Sequence, residues 1–270
     1  MTRIATAFDR LKKEGRKGFI PFITAGDPDL ETSEKLLVEL GHAGATVIEL
    51  GVPFSDPMAD GPVIQRASER ALRHSFGIEA VLETVAKARA QIDTPIILFS
   101  YFNPLLQFGI DRLARAARVA GVDGLLVTDL TPEEASEVAT RFRADDLDMI
   151  FLVAPTSTDV RLALVAKYAS GFIYAVSRRG VTGQQETVSS DAEQLVRRVR
   201  RFSDLPVAVG FGISSSEQVA QTWRYADAAV VGSAIVAEIE GLYGASDLVS
   251  RTIEFVNGLI PESRVRGKHE

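Results

Sequence analysis

Residues 45–62 read Ala45-Thr-Val-Ile-Glu-Leu-Gly51 followed by Val52-Pro-Phe-Ser-Asp-Pro-Met-Ala-Asp-Gly-Pro62. The first part is a short apolar run rich in β-branched residues, which is typical of a buried strand. The second part contains three prolines, which fix φ and restrict the shapes that the loop can take. A helix is predicted to begin near Val63. The stretch is therefore one strand–loop–helix unit, and the rest of the chain follows the same rhythm.

Seven more apolar runs of strand length occur along the chain, and helical patterns lie between them. The eight predicted strands are 19–24, 47–51, 96–101, 124–128, 149–153, 172–177, 207–210 and 228–232. Because these strands are almost wholly apolar, both faces of the sheet should be buried, which favours a parallel sheet covered by helices. Eight such units in 270 residues predict one domain, 1–270, folded as a closed (βα)8 barrel. A doubly wound open sheet is the alternative.

Helix signals add detail to this barrel. An amphipathic helix at 5–13 precedes the first strand and is expected to close the bottom of the barrel. Capping boxes, in which Ser or Thr is followed three residues later by Glu, predict helix starts at 131–134, 190–193 and 214–217. The polar tail 262–270 is expected to be frayed.

Three acidic residues interrupt the apolar and proline-rich stretch 45–62, and two of them, Glu49 and Asp60, stand out. Glu49 lies inside the predicted strand, and Asp60 lies in the loop after it. Burying an unpaired carboxylate is costly or raises its pKa, and a raised pKa suits a general acid or base near neutral pH. The pair is therefore the candidate for proton transfer. The alternative is that Glu49 pairs with a Lys or Arg and that Asp60 caps the following helix.

The composition argues against several functions. A net charge of −6 is unlike that of a nucleic-acid-binding surface, and the basic run 197–201 fits the solvated face of a helix. The absence of cysteine excludes disulfides, thiolate metal sites and a cysteine nucleophile. The three histidines are not at helical spacing from one another, so no metal site is expected. Neither a signal peptide nor a membrane span is predicted, and we expect a cytoplasmic protein.

Glycines concentrate near the ends of the last three predicted strands. They lie in segments 180–183, 210–214 and 231–233, with Arg178 and Arg179 nearby. Glycine allows backbone N–H groups to approach an anion closely, and a helix that begins at Ser233 would add its dipole. Each glycine alone would fit a turn, but together they predict a phosphate site, which barrels commonly form after strands seven and eight. Neither a dinucleotide fingerprint nor a Walker motif is complete.

The chain resembles the tryptophan synthase alpha subunit family in five segments: 21–28 (Pro-Phe-Ile-Thr-Ala-Gly-Asp-Pro), 49–62, 101–104 (Tyr-Phe-Asn-Pro), 171–183 and 231–234 (Val-Gly-Ser-Ala). The resemblance implies a TIM barrel that cleaves indole-3-glycerol phosphate by a retro-aldol reaction to indole and glyceraldehyde 3-phosphate. It also implies that this chain needs no cofactor. A beta subunit that carries pyridoxal phosphate would receive the indole within an alpha2-beta2 tetramer.

The resemblance also implies roles for single residues. Glu49 would be the acid and base, and Asp60 would stabilise positive charge on the indole nitrogen. A lid over 178–190 would exclude water, with Thr182 touching Asp60 on closure. The other implied contacts are Gly183, Phe211, Gly212, Gly232 and Ser233 with phosphate; Phe22, Ile64, Tyr101, Tyr174 and Phe211 with the indole ring; and Pro53 and Asp56 with the partner. The chain departs from the family pattern at Arg179 and at Ala228-Ala229, which concerns lid behaviour and local backbone more than chemistry.

Three other functions stay open. A sugar-phosphate isomerase or aldolase would need a Schiff-base lysine or a metal, and no lysine ends a predicted strand. A stand-alone lyase would keep the chemistry and release free indole, against which Pro53 and Asp56 weigh mildly. A subunit that only activates its partner would have no need of Glu49, Asp60 and the phosphate glycines.

Overall fold

The computed structural model describes residues 1–176, 185–210 and 212–261, with the backbone alone over 185–190. The described strands form a closed barrel in which each strand pairs in parallel with its neighbours in sequence and the last pairs with the first. They are β1 (Gly18–Thr24), β2 (Ile48–Gly51), β3 (Ile96–Ser100), β4 (Gly124–Val127), β5 (Asp148–Val153), β6 (Ile173–Val176), β7 (Val207–Gly210) and β8 (Ala228–Val231). The barrel confirms the predicted fold class and excludes the open sheet.

Helices separate the strands and cover the outside of the barrel. They are α1 (Arg3–Lys13), α2 (Leu30–His42), α3 (Pro62–Leu72), α4 (Ile78–Arg89), α5 (Phe102–Phe108), α6 (Ile110–Ala120), α7 (Ser136–Ala144), α8 (Asp159–Tyr168), α9 (Gln185–Val199), α10 (Ser216–Thr222), α11 (Ser233–Gly241) and α12 (Leu248–Leu259). Two helices follow each of β2, β3 and β8. The pairing matters for the site, because α3 and α11 begin directly at the loops that follow β2 and β8.

The first helix closes the bottom of the barrel as predicted. Thr2 caps α1 by accepting a hydrogen bond from the N–H of Ala5. The apolar face of α1 buries Ile4 and Phe8 with the side chains inside the barrel, and the ring of Phe8 lies 5.8 Å from that of Phe172. Burial of one such side chain stabilises the fold by about 1.5–3 kcal/mol. The bottom of the barrel is therefore sealed by apolar packing.

The inside of the barrel is filled by one layer of apolar side chains. Each strand, or the residue just before it, contributes to it, and the residues are Ile20, Val47, Ile97, Leu126, Ile150, Phe172, Ala208 and Ala228. Side chains two positions apart in a strand point to the same face. The residues two positions further along each strand therefore also point inward, above this layer, at the carboxyl ends of the strands.

Two of the three predicted helix starts are wrong. The box at 131–134 forms a turn in which the hydroxyl of Thr131 donates to Glu134 at 2.9 Å, and α7 begins only at Ser136. The box at 190–193 lies inside α9, which begins at Gln185. Part of the segment predicted as a lid, 185–190, is thus helical. A capping box is a local pattern, and local patterns yield to the packing of neighbouring segments.

The third predicted start is shifted by one residue. Ser215, not Ser214, is the N-cap of α10, and its hydroxyl accepts from the N–H of Gln218. The side-chain oxygen of Gln218 in turn accepts from the N–H of Ser214 at 2.8 Å. The reciprocal capping pattern is present, but Gln218 takes the part that the sequence assigned to Glu217.

The basic run 197–201 lies on the outer surface. Arg197 pairs with Glu193, Arg198 pairs with Asp159, and Arg200 pairs with Asp227. These are exposed ion pairs, consistent with a solvated face. No helix in the described part of the chain is long and apolar enough to cross a membrane.

Candidate active site

A cavity of about 290 Å³ lies at the carboxyl ends of the barrel strands. Its walls come from β1–β3, β5, β6 and β8, from the residue after β4, from the loop after β2 and the start of α3, and from the loops after β7 and β8. The lining residues are Phe22, Glu49, Ala59, Asp60, Gly61, Ile64, Phe99, Thr128, Leu152, Tyr174, Val176, Gly212, Val230, Gly232 and Ser233. The structure therefore brings together Glu49, Asp60 and most of the predicted substrate contacts. This end of a barrel is where enzymes of this fold build their active sites.

Glu49 lies in β2 and is only 1% exposed. Among the described residues, its Oε1 atom has no hydrogen-bond partner, and no Lys or Arg forms an ion pair with it. No described residue therefore supports the alternative of a structural ion pair. Burial raises the pKa of Glu49 to about 8. Glu49 is thus mainly protonated at neutral pH and can donate a proton into the cavity.

Asp60 lies in the loop between β2 and α3, on the wall of the cavity. Burial raises the pKa of Asp60, while a hydrogen bond from the Tyr101 hydroxyl favours its ionised form. The N-cap of α3 is Gly61, and no side chain caps this helix. The alternative that Asp60 is only a helix cap is therefore wrong. The second carboxyl group belongs to the cavity.

Tyr101 holds the loop that carries Asp60. Its hydroxyl accepts from the N–H of Ala59 at 2.9 Å and donates to the Asp60 carboxylate. Its ring packs against that of Phe54 with the centroids 5.2 Å apart. Burial, together with the charge of Asp60, raises the pKa of Tyr101 to about 12, so the hydroxyl keeps its proton. Tyr101 thus lies outside the cavity lining, beneath the loop, although the resemblance implies a contact with the indole ring.

Two glycines make room for the aromatic walls of the cavity. A Cβ atom at Gly210 would lie 2.2 Å from the hydroxyl of Tyr174, and one at Gly51 would lie 2.6 Å from the ring of Phe22. Tyr174 faces Glu49 across the barrel, and burial, together with the charge of Glu49, raises the pKa of Tyr174. Gly210 was assigned by sequence to anion binding, but in the structure it accommodates Tyr174.

Gly210→Ala is expected to displace Tyr174 and to lower activity at this site by about tenfold or more, because small misplacements of site groups have large effects. Overpacking should also destabilise the fold by about 1–3 kcal/mol. Gly258→Ala is the matched control, because a Cβ atom there meets nothing within 4 Å. Steady-state kinetics and urea unfolding of both variants check this prediction. Adding Tyr174→Leu to Gly210→Ala should recover stability, and no recovery would contradict the clash.

The loops after β7 and β8 line the end of the cavity at which the sequence predicts anion binding. Gly212 has a φ of +70°, a conformation that favours glycine. Gly232 is the N-cap of α11, which begins at Ser233. The first turn of a helix carries N–H groups without intrahelical partners and the positive end of the dipole. Other residues assigned to this end or to the lid, Arg178, Arg179, Thr182, Gly183 and Phe211, lie outside the described residues.

Sequence reasoning missed several residues of the cavity wall, most of them apolar. They are Phe99, Thr128, Leu152, Val176 and Val230, together with the loop residues Ala59 and Gly61. Each of the five strand or strand-end residues lies two or four positions beyond a member of the inner apolar layer, as Phe99 does beyond Ile97. The ring of Phe99 meets that of Phe22 edge-on at 5.3 Å. A two-residue count along each strand is the signal that could have found them.

The residues assigned to a partner lie in the loop after β2. Pro53 is buried, whereas Asp56 is exposed. Met58, in the same loop, is 84% exposed. A large apolar side chain exposed to water in this loop suits a contact with another protein.

Two other kinds of site in the described part of the chain compare poorly with this cavity. No cluster of three or more metal-ligating side chains occurs in the described part of the chain. A larger groove of about 1190 Å³ lies on the outside, beside α2 and α12. Its charged residues, such as Glu34, Lys35 and Glu39, are at the surface. The smaller cavity with the buried Glu49 is therefore the candidate active site.

A buried carboxyl group with a raised pKa and a helix N-terminus at the carboxyl end of a barrel are typical of barrel enzymes that act on small anionic substrates. The chain belongs to the tryptophan synthase alpha chain family, whose model matches residues 8–260. The tryptophan synthase alpha chain of Citrifermentans bemidjiense is 50% identical over 259 residues, which are 96% of this chain and 97% of that one. These findings confirm the resemblance seen in the sequence.

Solved structures agree. The tryptophan synthase alpha subunit of Legionella pneumophila superposes with a TM-score of 0.89 at 39% identity, covering 96% of this chain and 97% of that one. A chain of the tryptophan synthase α2β2 complex from Pyrococcus furiosus superposes with a TM-score of 0.83 at 37% identity, covering 90% and 98%. The likeness spans nearly the whole chain.

Proposed function

We propose that Glu49 and Asp60 carry out the reaction of the tryptophan synthase alpha chain family, the retro-aldol cleavage of indole-3-glycerol phosphate in tryptophan biosynthesis. The observation that carries this proposal is the buried Glu49, whose carboxyl group is unpaired among the described residues and has a pKa raised to about 8. The reaction needs a group that gives one proton and takes another near neutral pH, and few carboxyl groups meet that need.

The proposed cleavage moves two protons, both through Glu49. The protonated Glu49 donates its proton to carbon 3 of the indole ring, which leaves positive charge at the ring nitrogen. The resulting carboxylate takes the proton of the hydroxyl on the adjacent glycerol carbon. As the carbon–oxygen double bond of the aldehyde forms, the bond to carbon 3 breaks and its electron pair neutralises the ring. Glu49 ends in its starting protonation state, so the cycle can repeat.

Asp60 stabilises the charged intermediate in this scheme. Its carboxylate lines the same cavity as Glu49 and would face the ring nitrogen when positive charge develops there. The hydrogen bond from Tyr101 favours the ionised form and fixes the direction of the carboxylate. Phe22, Phe99 and Tyr174 offer the aromatic surface for the indole ring. Proton transfer is assigned to Glu49 and charge stabilisation to Asp60 because Glu49 is the more buried of the two groups.

The phosphate group would bind at Gly212, Gly232 and Ser233. The N-terminus of α11 aims N–H groups and a partial positive charge at the cavity, and the hydroxyl of Ser233 can donate one more hydrogen bond. Glu49 lines the same cavity as these three residues. A substrate whose phosphate binds there would therefore have its indole end near Glu49. The assignments of Thr182, Gly183 and Phe211 to this site rest on the family resemblance.

A tryptophan synthase beta subunit is the partner that family membership indicates. We propose an alpha2-beta2 tetramer in which the pyridoxal phosphate belongs to the beta subunit and this chain uses no cofactor. The loop with Pro53, Asp56 and the exposed Met58 would contact the partner, so that partner binding could act directly on Asp60. A cytoplasmic location is part of the same proposal.

Indole release from indole-3-glycerol phosphate by the purified chain, measured with and without a beta subunit, tests the proposed function. We expect slow cleavage alone and faster cleavage with the partner. Fast cleavage that no beta subunit changes would favour a stand-alone lyase. No cleavage by the folded chain under either condition would contradict the proposal and favour a regulatory subunit.

A further inference from the structure

A network of four charged side chains lies behind the active-site cavity. The guanidinium of Arg70 donates through Nε and Nη2 to the two carboxylate oxygens of Asp27, each at 2.8 Å. Its Nη1 atom donates to Glu240 at 2.7 Å. Arg66 donates one hydrogen bond of 2.7 Å to each carboxylate oxygen of Glu240. The charges of the four groups cancel, and Arg70 is the member that joins the two carboxylates.

The network is largely shielded from water at its centre. Asp27 is 2% exposed and Arg70 is 13% exposed at the side chain, whereas Glu240 is 30% exposed. Charge-assisted, bidentate hydrogen bonds of this kind have a defined geometry. Lysine could not reproduce it, because a single ammonium lacks the planar fork that binds two carboxylates at once. The contacts therefore require an arginine at position 70.

The three segments that meet in the network are the segments that carry the active site. Asp27 lies in the turn after β1, the strand that supplies Phe22. Arg70 lies on α3, whose first residues follow Asp60 directly. Glu240 lies near the end of α11, whose first residue is Ser233. Between the network and the cavity, the two helices and β1 pack through Phe22, Ala67 and Val236.

We infer that Arg70 is a positioning residue for the reaction: by binding Asp27 and Glu240 together, it holds α3 against α11 and so fixes Asp60 relative to the anion-binding end of the cavity. The inference rests on the proposed function for its kinetic consequences. Helices move as rigid bodies more readily than they deform, so a change at the far ends of α3 and α11 shifts their starts. A shift of about 1 Å can lower a rate by about 100-fold.

Arg70→Lys is expected to raise KM for indole-3-glycerol phosphate about tenfold and to lower kcat/KM by about 10- to 100-fold. A variant that merely contained less folded protein would show a lower apparent kcat with KM unchanged. The rise in KM is therefore the readout that separates positioning from stability. Unchanged KM in Arg70→Lys would overturn the inference.

Arg89→Lys is the matched control. Arg89 is 12% exposed, pairs with Asp123, which is 4% exposed, and lies at the opposite end of the barrel, before β3 and β4. Both substitutions disturb a buried arginine–aspartate pair, so both should lower Tm. Only Arg70→Lys should change KM, because residues at the amino ends of barrel strands serve stability. An equal rise of KM in both variants would overturn the inference.

A distance measurement keeps the inference testable if the wild-type chain fails to cleave the substrate, an outcome that counts against the proposed function alone. The chain contains no cysteine, so spin labels at Glu69→Cys and Ala237→Cys, exposed positions on α3 and α11, report only on these two helices. Electron paramagnetic resonance should give a narrow distance distribution, which Arg70→Lys broadens or shifts and Arg89→Lys leaves unchanged. Identical distributions in all three chains would overturn the inference.

Discussion

Glu49→Gln is expected to lower kcat for cleavage of indole-3-glycerol phosphate by about 10³-fold or more while leaving KM near its wild-type value. General acid–base catalysis by one group contributes about 10²- to 10⁴-fold, and Glu49 is assigned both proton transfers. The amide has nearly the shape of the protonated carboxyl group, so substrate binding should persist. Steady-state and single-turnover assays of indole release, with the beta subunit present, measure the effect.

Glu49→Asp is the informative companion to that variant. It keeps a carboxyl group but withdraws it by one methylene, so it should retain more activity than Glu49→Gln and less than the wild type.

Gln65→Glu would be a poor control because Gln65 contacts the Asp60 loop through its side-chain amide. Glu254→Gln, at an exposed position on α12, is the better control and should cleave at the wild-type rate. A kcat within tenfold of wild type in Glu49→Gln would remove Glu49 from the mechanism.

The barrel could be predicted from sequence because its signal is repeated eight times. Each apolar strand followed by a helical pattern is weak evidence alone, but errors at single boundaries do not change the topology. Each predicted helix start, in contrast, depends on a single local pattern. Thr131 and Ser190 each head a correct capping pattern, yet one closes a turn and the other lies within α9. One local pattern cannot report how neighbouring segments pack.

The polar part of the site was predictable for a related reason. A carboxyl group in an apolar strand and glycines at strand ends break the expected pattern, so Glu49, Asp60, Gly212 and Gly232 were found. Phe99 and Leu152 were missed because an apolar residue on a cavity wall has the same sequence pattern as one in the core. Only the register of the strands, which places them above the inner apolar layer, tells the two apart.

Contacts between distant residues lay beyond sequence reasoning. Arg70 bonds to Asp27, 43 positions earlier, and to Glu240, 170 positions later. The sequence around each of these three residues contains no motif that marks them as partners. The same holds for the hydrogen bond between Tyr101 and Ala59, 42 positions apart, which moves Tyr101 from the expected cavity wall to the support of the loop.

The wild-type chain is expected to lose stability relative to Glu49→Gln as the pH rises from about 5 to about 9. Burial raises the pKa of Glu49 from 4.5 in the unfolded chain to about 8 in the folded chain. Between these values the folded state binds the proton that the unfolded state has released, so the free energy of unfolding falls with rising pH. The contribution of Glu49 to that free energy is highest below pH 4.5 and levels off above pH 8. A shift of this size corresponds to a change on the order of 3–5 kcal/mol.

Urea unfolding of both proteins at pH 5, 7 and 9 measures this difference. Comparing the two chains at each pH isolates Glu49, because the other groups with raised pKa values, such as Asp27 and Asp148, contribute equally to both. Glu254→Gln provides a control in which the carboxylate removed is exposed to water, and its stability difference from wild type should stay constant. A constant difference for Glu49→Gln as well would mean that Glu49 is hydrated or paired in solution. The burial that makes Glu49 a proton donor at neutral pH would then be absent, so the same unfolding data also test the basis of the proposed catalysis.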